Sequence, residues 1–165
     1  MFNKNNWREP IYKQDLIGVL VNGFLTAILC GILGAGIDYL LQVRFQIPLS
    51  IAELFIMYVI GWRVKKGFYS YHILYPILAI VFLLFAFFIN LFAFHSIVYI
   101  VSGRYDIYNL LITPSFWFAY LLLPVNTLIG GIAFGDAIQI VFGIINILFY
   151  IFAVWYVYRT VKGRN

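Results

Sequence analysis

The sequence predicts an all-α membrane protein, a polytopic bundle of transmembrane helices. Of its 165 residues, 64% are hydrophobic and only 10% are charged, whereas a soluble domain carries about 25% charged residues. The charged residues stand in short clusters between long apolar runs, which is typical of a chain that crosses a bilayer several times. The length leaves room for a single membrane domain over residues 1–165.

The first predicted span covers residues 16–42, which is longer than the about 20 apolar residues that a bilayer requires. Small residues recur at every fourth position and therefore share one face of this helix. They are Gly23, Ala27, Gly31 and Ala35, and we call them the small-residue ridge. A face without large side chains lets another helix approach closely, so we predict that the ridge is a helix-packing surface.

Three further spans are predicted over residues 51–66, 73–101 and 137–158. Ser50, just before the first of these, and Glu53 within it have the spacing of a capping box at a helix start. Its 16 or so residues would reach roughly 24 Å, which is short for a span but tolerable if the bilayer thins locally.

The stretch from 107 to 134 is apolar but interrupted by residues that disfavour a continuous helix. It contains Pro114, Pro124, Asn126 and the Gly130–Gly131 pair, and proline inside a helix costs about 3 kcal/mol. We therefore predict a re-entrant or interfacial segment and four spans. A fifth span over these residues is the alternative.

The distribution of Lys and Arg favours four spans. With four spans, nine cations lie on the cytoplasmic side and two outside, whereas five spans would give six against five. The arrangement predicts a multi-pass plasma-membrane protein with both termini cytoplasmic. Basic anchors at the cytoplasmic helix ends are Arg63, Lys65, Lys66, Arg159, Lys162 and Arg164; the remaining cytoplasmic cations are Lys4, Arg8 and Lys13, and the two outer ones are Arg44 and Arg104.

Candidate catalytic residues are the ionisable groups expected at one depth near the outer side, Asp38, Glu53 and His95, which Asp136 could join. Two carboxylates and an imidazole can bind a divalent metal, transfer protons, or act as acid and base. The structural interpretation is stronger, because Glu53 and Asp136 are placed as helix caps and Asp38 can pair with Arg44 or Arg104. We predict no cofactor, no metal and no nucleic-acid partner.

Other polar residues inside the spans are expected to serve packing. Asn22, Asn90 and Asn146 can form hydrogen bonds between helices, although a polar translocation path is the alternative. Cys30 is the only cysteine, which excludes an intrachain disulfide, and we interpret it as a small core residue.

Three stretches carry a resemblance to known proteins: GAGIDYLLQ, IGWRVKKG and IFAVWYVYR. In these stretches the chain resembles small uncharacterised four-span bacterial plasma-membrane proteins. The resemblance implies location in the plasma membrane and carries no catalytic residue or substrate to this chain.

The leading hypothesis is a non-enzymatic integral membrane protein. It would serve as an accessory, assembly or regulatory subunit that docks on another membrane protein, or on itself, through the small-residue ridge. One alternative is a small oligomeric transporter or channel. Another is a membrane-embedded, metal-dependent enzyme that acts on lipid at the outer leaflet through Asp38, Glu53 and His95.

Overall fold

The computed structural model describes residues 10–46, 51–103, 115, 118 and 122–163, and every regular element within them is helical. The predicted all-α class is therefore confirmed. Five α-helices are described, and a π-helical turn, Leu40–Arg44, continues the first of them. The helices are α1 (Lys13–Tyr39), α2 (Ala52–Lys66), α3 (Leu74–Val101), α4 (Leu123–Phe134) and α5 (Ala137–Lys162).

Three of the described helical segments are long and apolar enough to cross a membrane. Lys13–Arg44 has 32 residues, Leu74–Val101 has 28 and Ala137–Lys162 has 26, with mean hydropathies of 2.4, 2.9 and 2.4. Even the shortest reaches about 39 Å, which exceeds a hydrocarbon core of about 30 Å. These segments correspond to the predicted spans 16–42, 73–101 and 137–158. The first is longer than predicted at both ends and the last at its C-terminal end, whereas the second begins one residue later than predicted and ends at Val101 as predicted.

α2 is shorter than these three helices. It has 15 residues and reaches about 22 Å. Its N-cap position falls on Ile51, which makes no side-chain cap hydrogen bond, and Ser50 of the predicted capping box lies outside the described residues. Glu53 stands in the first turn, where a carboxylate is favoured by the helix dipole.

α4 occupies the end of the predicted re-entrant or interfacial segment 107–134. It has 12 residues and reaches about 18 Å, too short to cross a bilayer alone. Pro124 stands in its first turn, where the missing amide is tolerated. Pro114 lies outside the described residues.

The chain divides into two compact units. Unit 1 comprises Met1–Phe94 with Val154–Asn165, and unit 2 comprises His95–Ala153. Unit 1 therefore holds α1, α2, most of α3 and the end of α5, whereas unit 2 holds the end of α3, α4 and the first part of α5.

In unit 2, α4 and α5 are joined by a tight turn. Gly135 has a φ of 67°, in the left-handed region that glycine adopts without strain. Its N–H donates to the carbonyl of Ile132 at 3.4 Å, and the N–H of Asp136 donates to that of Gly131 at 2.9 Å. These two bonds form a Schellman motif, which ends α4 and lets the chain reverse.

The two helices of this hairpin approach closely because glycine stands at their contacts. A Cβ at Gly143 would lie 2.7 Å from the Cα of Leu128, and one at Gly131 would lie 2.7 Å from the backbone nitrogen of Ile140. Since the second contact lies nearer the turn than the first, α4 packs antiparallel along the beginning of α5.

Candidate functional site

The small-residue ridge of α1 is covered by α3 of the same chain. All four ridge residues are buried, and Ala27 and Ala35 are 0% exposed. A Cβ at Gly23 would overlap the ring of Phe82, and one at Gly31 would lie 2.9 Å from the carbonyl oxygen of Ala86. The ridge therefore packs a helix, and in this structure that helix belongs to the chain itself.

A buried polar contact joins α1 to α3 near the end of α1. The side-chain amide of Asn90 donates a hydrogen bond to Oδ2 of Asp38 at 2.9 Å, and the two residues are only 2% and 3% exposed. Gly34 makes room for this contact, since a Cβ there would lie 2.7 Å from Oδ1 of Asn90. The expected interhelical hydrogen bond is confirmed for Asn90, with a partner that the sequence did not reveal.

Glu53 of α2 lies close enough to Asp38 for their carboxylates to interact electrostatically. α2 reaches this point because Ala52 and Ile56 pack against Gly34, where a Cβ would lie 3.2 and 3.1 Å from their side chains. Three helices of unit 1 thus bring together two carboxylates and one carboxamide. Arg104, one of the two partners expected for Asp38, lies outside the described residues.

The predicted set of Asp38, Glu53 and His95 is divided between the units. Asp38 and Glu53 belong to unit 1, whereas His95 is the first residue of unit 2 and is half-buried. Among the residues that the structure describes, no group of three or more His, Cys, Asp or Glu side chains is placed to hold a metal ion.

Asp136 caps α5, as its position in the sequence predicted. Its Oδ1 accepts hydrogen bonds from the backbone N–H groups of Ile138 at 3.0 Å and of Gln139 at 3.2 Å. These amides are among the donors that a helix start leaves without an internal partner. The carboxylate of Asp136 therefore serves the fold.

A second buried carboxylate, Asp15, was not singled out in the sequence. It is 5% exposed, and its Oδ2 accepts the backbone N–H of Ser70 at 2.9 Å. One turn further along α1, Gly18 meets the backbone of Gly67, where a Cβ on either residue would collide with the other chain segment. The start of α1 is thereby held against the end of α2. In the sequence, the only indication of this contact is that both positions are glycine.

The end of α2 also packs against the end of α5. A Cβ at Gly61 would lie 3.3 Å from Cγ2 of Thr160, and Val64 and Val161 are 0% exposed. Because α1, α2 and α5 meet through these contacts, their cations lie at the same end of unit 1. We call this the cationic end; its described members are Lys13, Arg63, Lys65, Lys66, Arg159 and Lys162.

Aromatic rings accompany these cations. On α2, Nζ of Lys66 lies 3.9 Å and Cζ of Arg63 lies 5.6 Å from the centre of the Trp62 ring. On α5, Cζ of Arg159 lies 5.2 Å from the centre of the Trp155 ring, and Nζ of Lys162 lies 5.5 Å from that of Tyr158. These distances are those of cation–π contacts. The remaining predicted anchor, Arg164, lies outside the described residues.

The other polar candidates have different surroundings. Asn22 donates to the carbonyl of Gly18 in its own helix at 2.8 Å, and Asn146 is exposed on α5. Cys30 is buried at 6% exposure. A buried imidazole outside this set is that of His72, just before α3, whose Nδ1 accepts the N–H of Leu74 at 3.1 Å.

Comparison with family models, with curated proteins and with solved structures found no match to this chain.

Proposed function

We propose that this chain is a non-catalytic, multi-pass protein of the plasma membrane that acts as an accessory, assembly or regulatory subunit. It works by lateral contact of its helices, either with another membrane protein or with a second copy of itself. The small-residue ridge holds the chain's own fold together, and the contact surface lies on α5.

The observation that carries this proposal is the unequal burial of the long helices. In an 18-residue apolar stretch of the first helical segment, Lys13–Arg44, 33% of the residues are buried, and the same share is buried in α3. In the corresponding stretch of α5 the buried share is only 11%. Exposed apolar side chains recur along α5 every three or four residues and therefore form one stripe. We call this the α5 stripe; it consists of Val141, Ile145, Leu148, Phe152 and Trp155.

The proposed topology has four spans, a re-entrant or interfacial segment over 107–134 and both termini in the cytoplasm. The common location of the cations at one end of unit 1 supports it, because Lys and Arg are enriched on the cytoplasmic side. The shortness of α4 supports the re-entrant segment. A C-terminal alkaline phosphatase fusion should be inactive and a fluorescent protein fusion should be bright; the reverse pattern would contradict this topology.

Cysteine cross-linking in native membranes tests the contact surface directly. Cys30 is buried, and Cys30→Ala gives a background without thiols. In that background, Leu148→Cys and Phe152→Cys place single thiols on the α5 stripe. A benzophenone maleimide attached to either thiol should then, on illumination, insert into a C–H bond of whatever chain contacts it and convert the 19.1 kDa chain into a larger product.

Ala27→Cys is the matched control, because it places the same group on the ridge, where α3 covers it. We expect no product from this variant. A product of twice the mass would identify a second copy, and any other mass would identify a different membrane protein. If chains that are expressed and inserted yield no product from either α5 position, the proposal is wrong.

A small oligomeric transporter or channel is the second candidate. Its support is the polar contact of Asp38 with Asn90 inside unit 1, beside Glu53. Burying ionisable groups within a membrane is costly, and such groups often line the path of a substrate or ion. Purified protein in liposomes should then conduct an ion or small solute, and Asn90→Leu should abolish the flux. Flux that is absent, or that persists undiminished in this variant, would leave the subunit proposal as the better one.

A further inference from the structure

The cationic end of unit 1 carries a local excess of positive charge. Of the acidic residues described in unit 1, Asp38 and Glu53 lie towards the opposite ends of α1 and α2, and Asp15 is buried and engaged by Ser70. From Glu53 to Lys66 the axial distance along α2 is about 20 Å. Asp15 is therefore the one acidic residue described at the cationic end of unit 1, against six cations.

Contacts at the helix ends keep these cations near one another. Gly61 lets α2 approach Thr160 of α5, and Gly18 lets α1 approach Gly67 at the end of α2. Like charges gathered at one end of a helical unit repel each other, and a cation–π contact orients a charge without neutralising it. The arrangement is stabilised if an anion binds.

The exposed indole rings indicate what kind of anion fits. Trp62 is 42% exposed and Trp155 is 49% exposed, and each ring is in contact with at least one cation. Tryptophan beside Lys and Arg is typical of the level at which phospholipid headgroups meet acyl chains. Trp155 also ends the α5 stripe, so apolar surface lies directly beside the charged groups.

We propose that the cationic end binds the headgroup of an anionic phospholipid. The headgroup is bound at this end of unit 1 by Arg63 and Lys66 on α2 and by Arg159 on α5, and the acyl chains begin beside the exposed rings of Trp62 and Trp155. A soluble phosphate would engage only the cations, whereas a phospholipid also covers the apolar surface next to them. This inference rests on the proposed membrane placement of these helices.

The test uses the full-length protein reconstituted in phosphatidylcholine vesicles that contain a trace of spin-labelled lipid. Electron spin resonance then gives the association of spin-labelled phosphatidylglycerol relative to spin-labelled phosphatidylcholine. We expect the unmodified protein to prefer phosphatidylglycerol. In the triple variant Arg63→Gln, Lys66→Gln and Arg159→Gln, the preference should fall by up to about fivefold for each cation removed.

Two further variants distinguish binding at the cationic end from the attraction of any exposed cation to anionic lipid. Arg44→Gln removes an exposed cation at the other end of α1 and should leave the preference unchanged. Trp62→Leu retains every cation but removes the ring that orients two of them, so we expect a loss of about twofold to fourfold. Circular dichroism checks that each variant keeps its helix content.

Three results would contradict the proposed binding of an anionic phospholipid. If the triple variant keeps the full preference, or if Arg44→Gln lowers it equally, the inference is wrong although the membrane proposal stands. If inorganic phosphate at constant ionic strength abolishes the preference, the surface binds free phosphate rather than lipid. If the unmodified protein does not insert into vesicles at all, the proposed membrane placement fails together with this inference.

Discussion

The contacts described within unit 1 differ in kind from those described within unit 2. In unit 1, buried side chains link the elements, as Asp38 does with Asn90 and Asp15 with Ser70. In unit 2, α4 and α5 approach closely at Gly131 and Gly143, and the Asp136 cap acts on its own helix. Unit 1 therefore selects its helix partners by polar groups as well as by shape.

This difference suggests a division of roles. Within lipid, a misplaced polar group loses its hydrogen bond and finds no water to replace it, so the contacts of unit 1 discriminate strongly against other pairings. The α5 stripe, by contrast, consists of apolar side chains that are exposed. The first region is suited to holding the fold, and the second to meeting lipid or a partner.

The largest effect is expected from filling the ridge. Gly31→Leu would push α3 away, because a Cβ there already lies 2.9 Å from a backbone carbonyl oxygen. We expect the free energy of unfolding to fall by about 3 kcal/mol, as measured by denaturant unfolding in detergent. Gly36→Leu is the control, since nothing lies within 4 Å of a Cβ at that position; equal losses from both changes would show that α3 does not cover the ridge.

A smaller loss is expected from the buried amide. Asn90→Leu removes the hydrogen bond to Asp38 and should lower the free energy of unfolding by about 1–2 kcal/mol. Asn146→Leu makes the same change on the exposed face of α5 and should alter it by less than about 0.5 kcal/mol. If the two variants unfold alike, the polar contact does not distinguish unit 1 from unit 2.

The cap of α5 provides a more local test. Asp136→Ala removes the acceptor for two backbone amides and should cost about 1 kcal/mol, whereas Asp136→Asn keeps a side-chain oxygen and should cost little. Amide hydrogen exchange should speed up over the first turn of α5 in the alanine variant alone. Unchanged exchange there would mean that the Schellman motif suffices to set the turn.

The smallest effect on stability is expected on the α5 stripe. Leu148→Ala should change the free energy of unfolding by less than about 0.5 kcal/mol, because this side chain is exposed. It should nevertheless reduce the cross-linked product obtained with Phe152→Cys. Leu33→Ala, equally exposed on α1, should leave that product unchanged; a similar reduction would indicate a general effect on lipid contact.

The helices themselves were largely predictable, because apolar runs and the charges that bound them are local features. α3 begins one residue after the predicted 73 and ends at the predicted 101. α5 continues past the predicted 158 to Lys162, since Lys and Arg are good helix formers even where they leave the apolar region. The segment over 107–134 was less predictable because a proline permits either a helix start or a helix break.

The candidate site was predictable only in part. The spacing of the small-residue ridge identified a packing face, but spacing says nothing about which helix covers it. Asp38 was recognised as an ionisable group inside a span, yet its partner Asn90 lies 52 residues away. Asp15 could not be predicted as a buried contact, because a carboxylate in the first turn of a helix is common there whether it is exposed or buried.

The sequence by itself determined that this polypeptide is helical and suited to lipid, and where its cations stand along the chain, because these properties follow from composition and local order. Only the tertiary structure decided that α3 covers the ridge, that Asp38 meets Asn90, and that the cations of three helices share one end. Such contacts join residues far apart in the chain, and their geometry depends on how closely glycine lets two backbones approach.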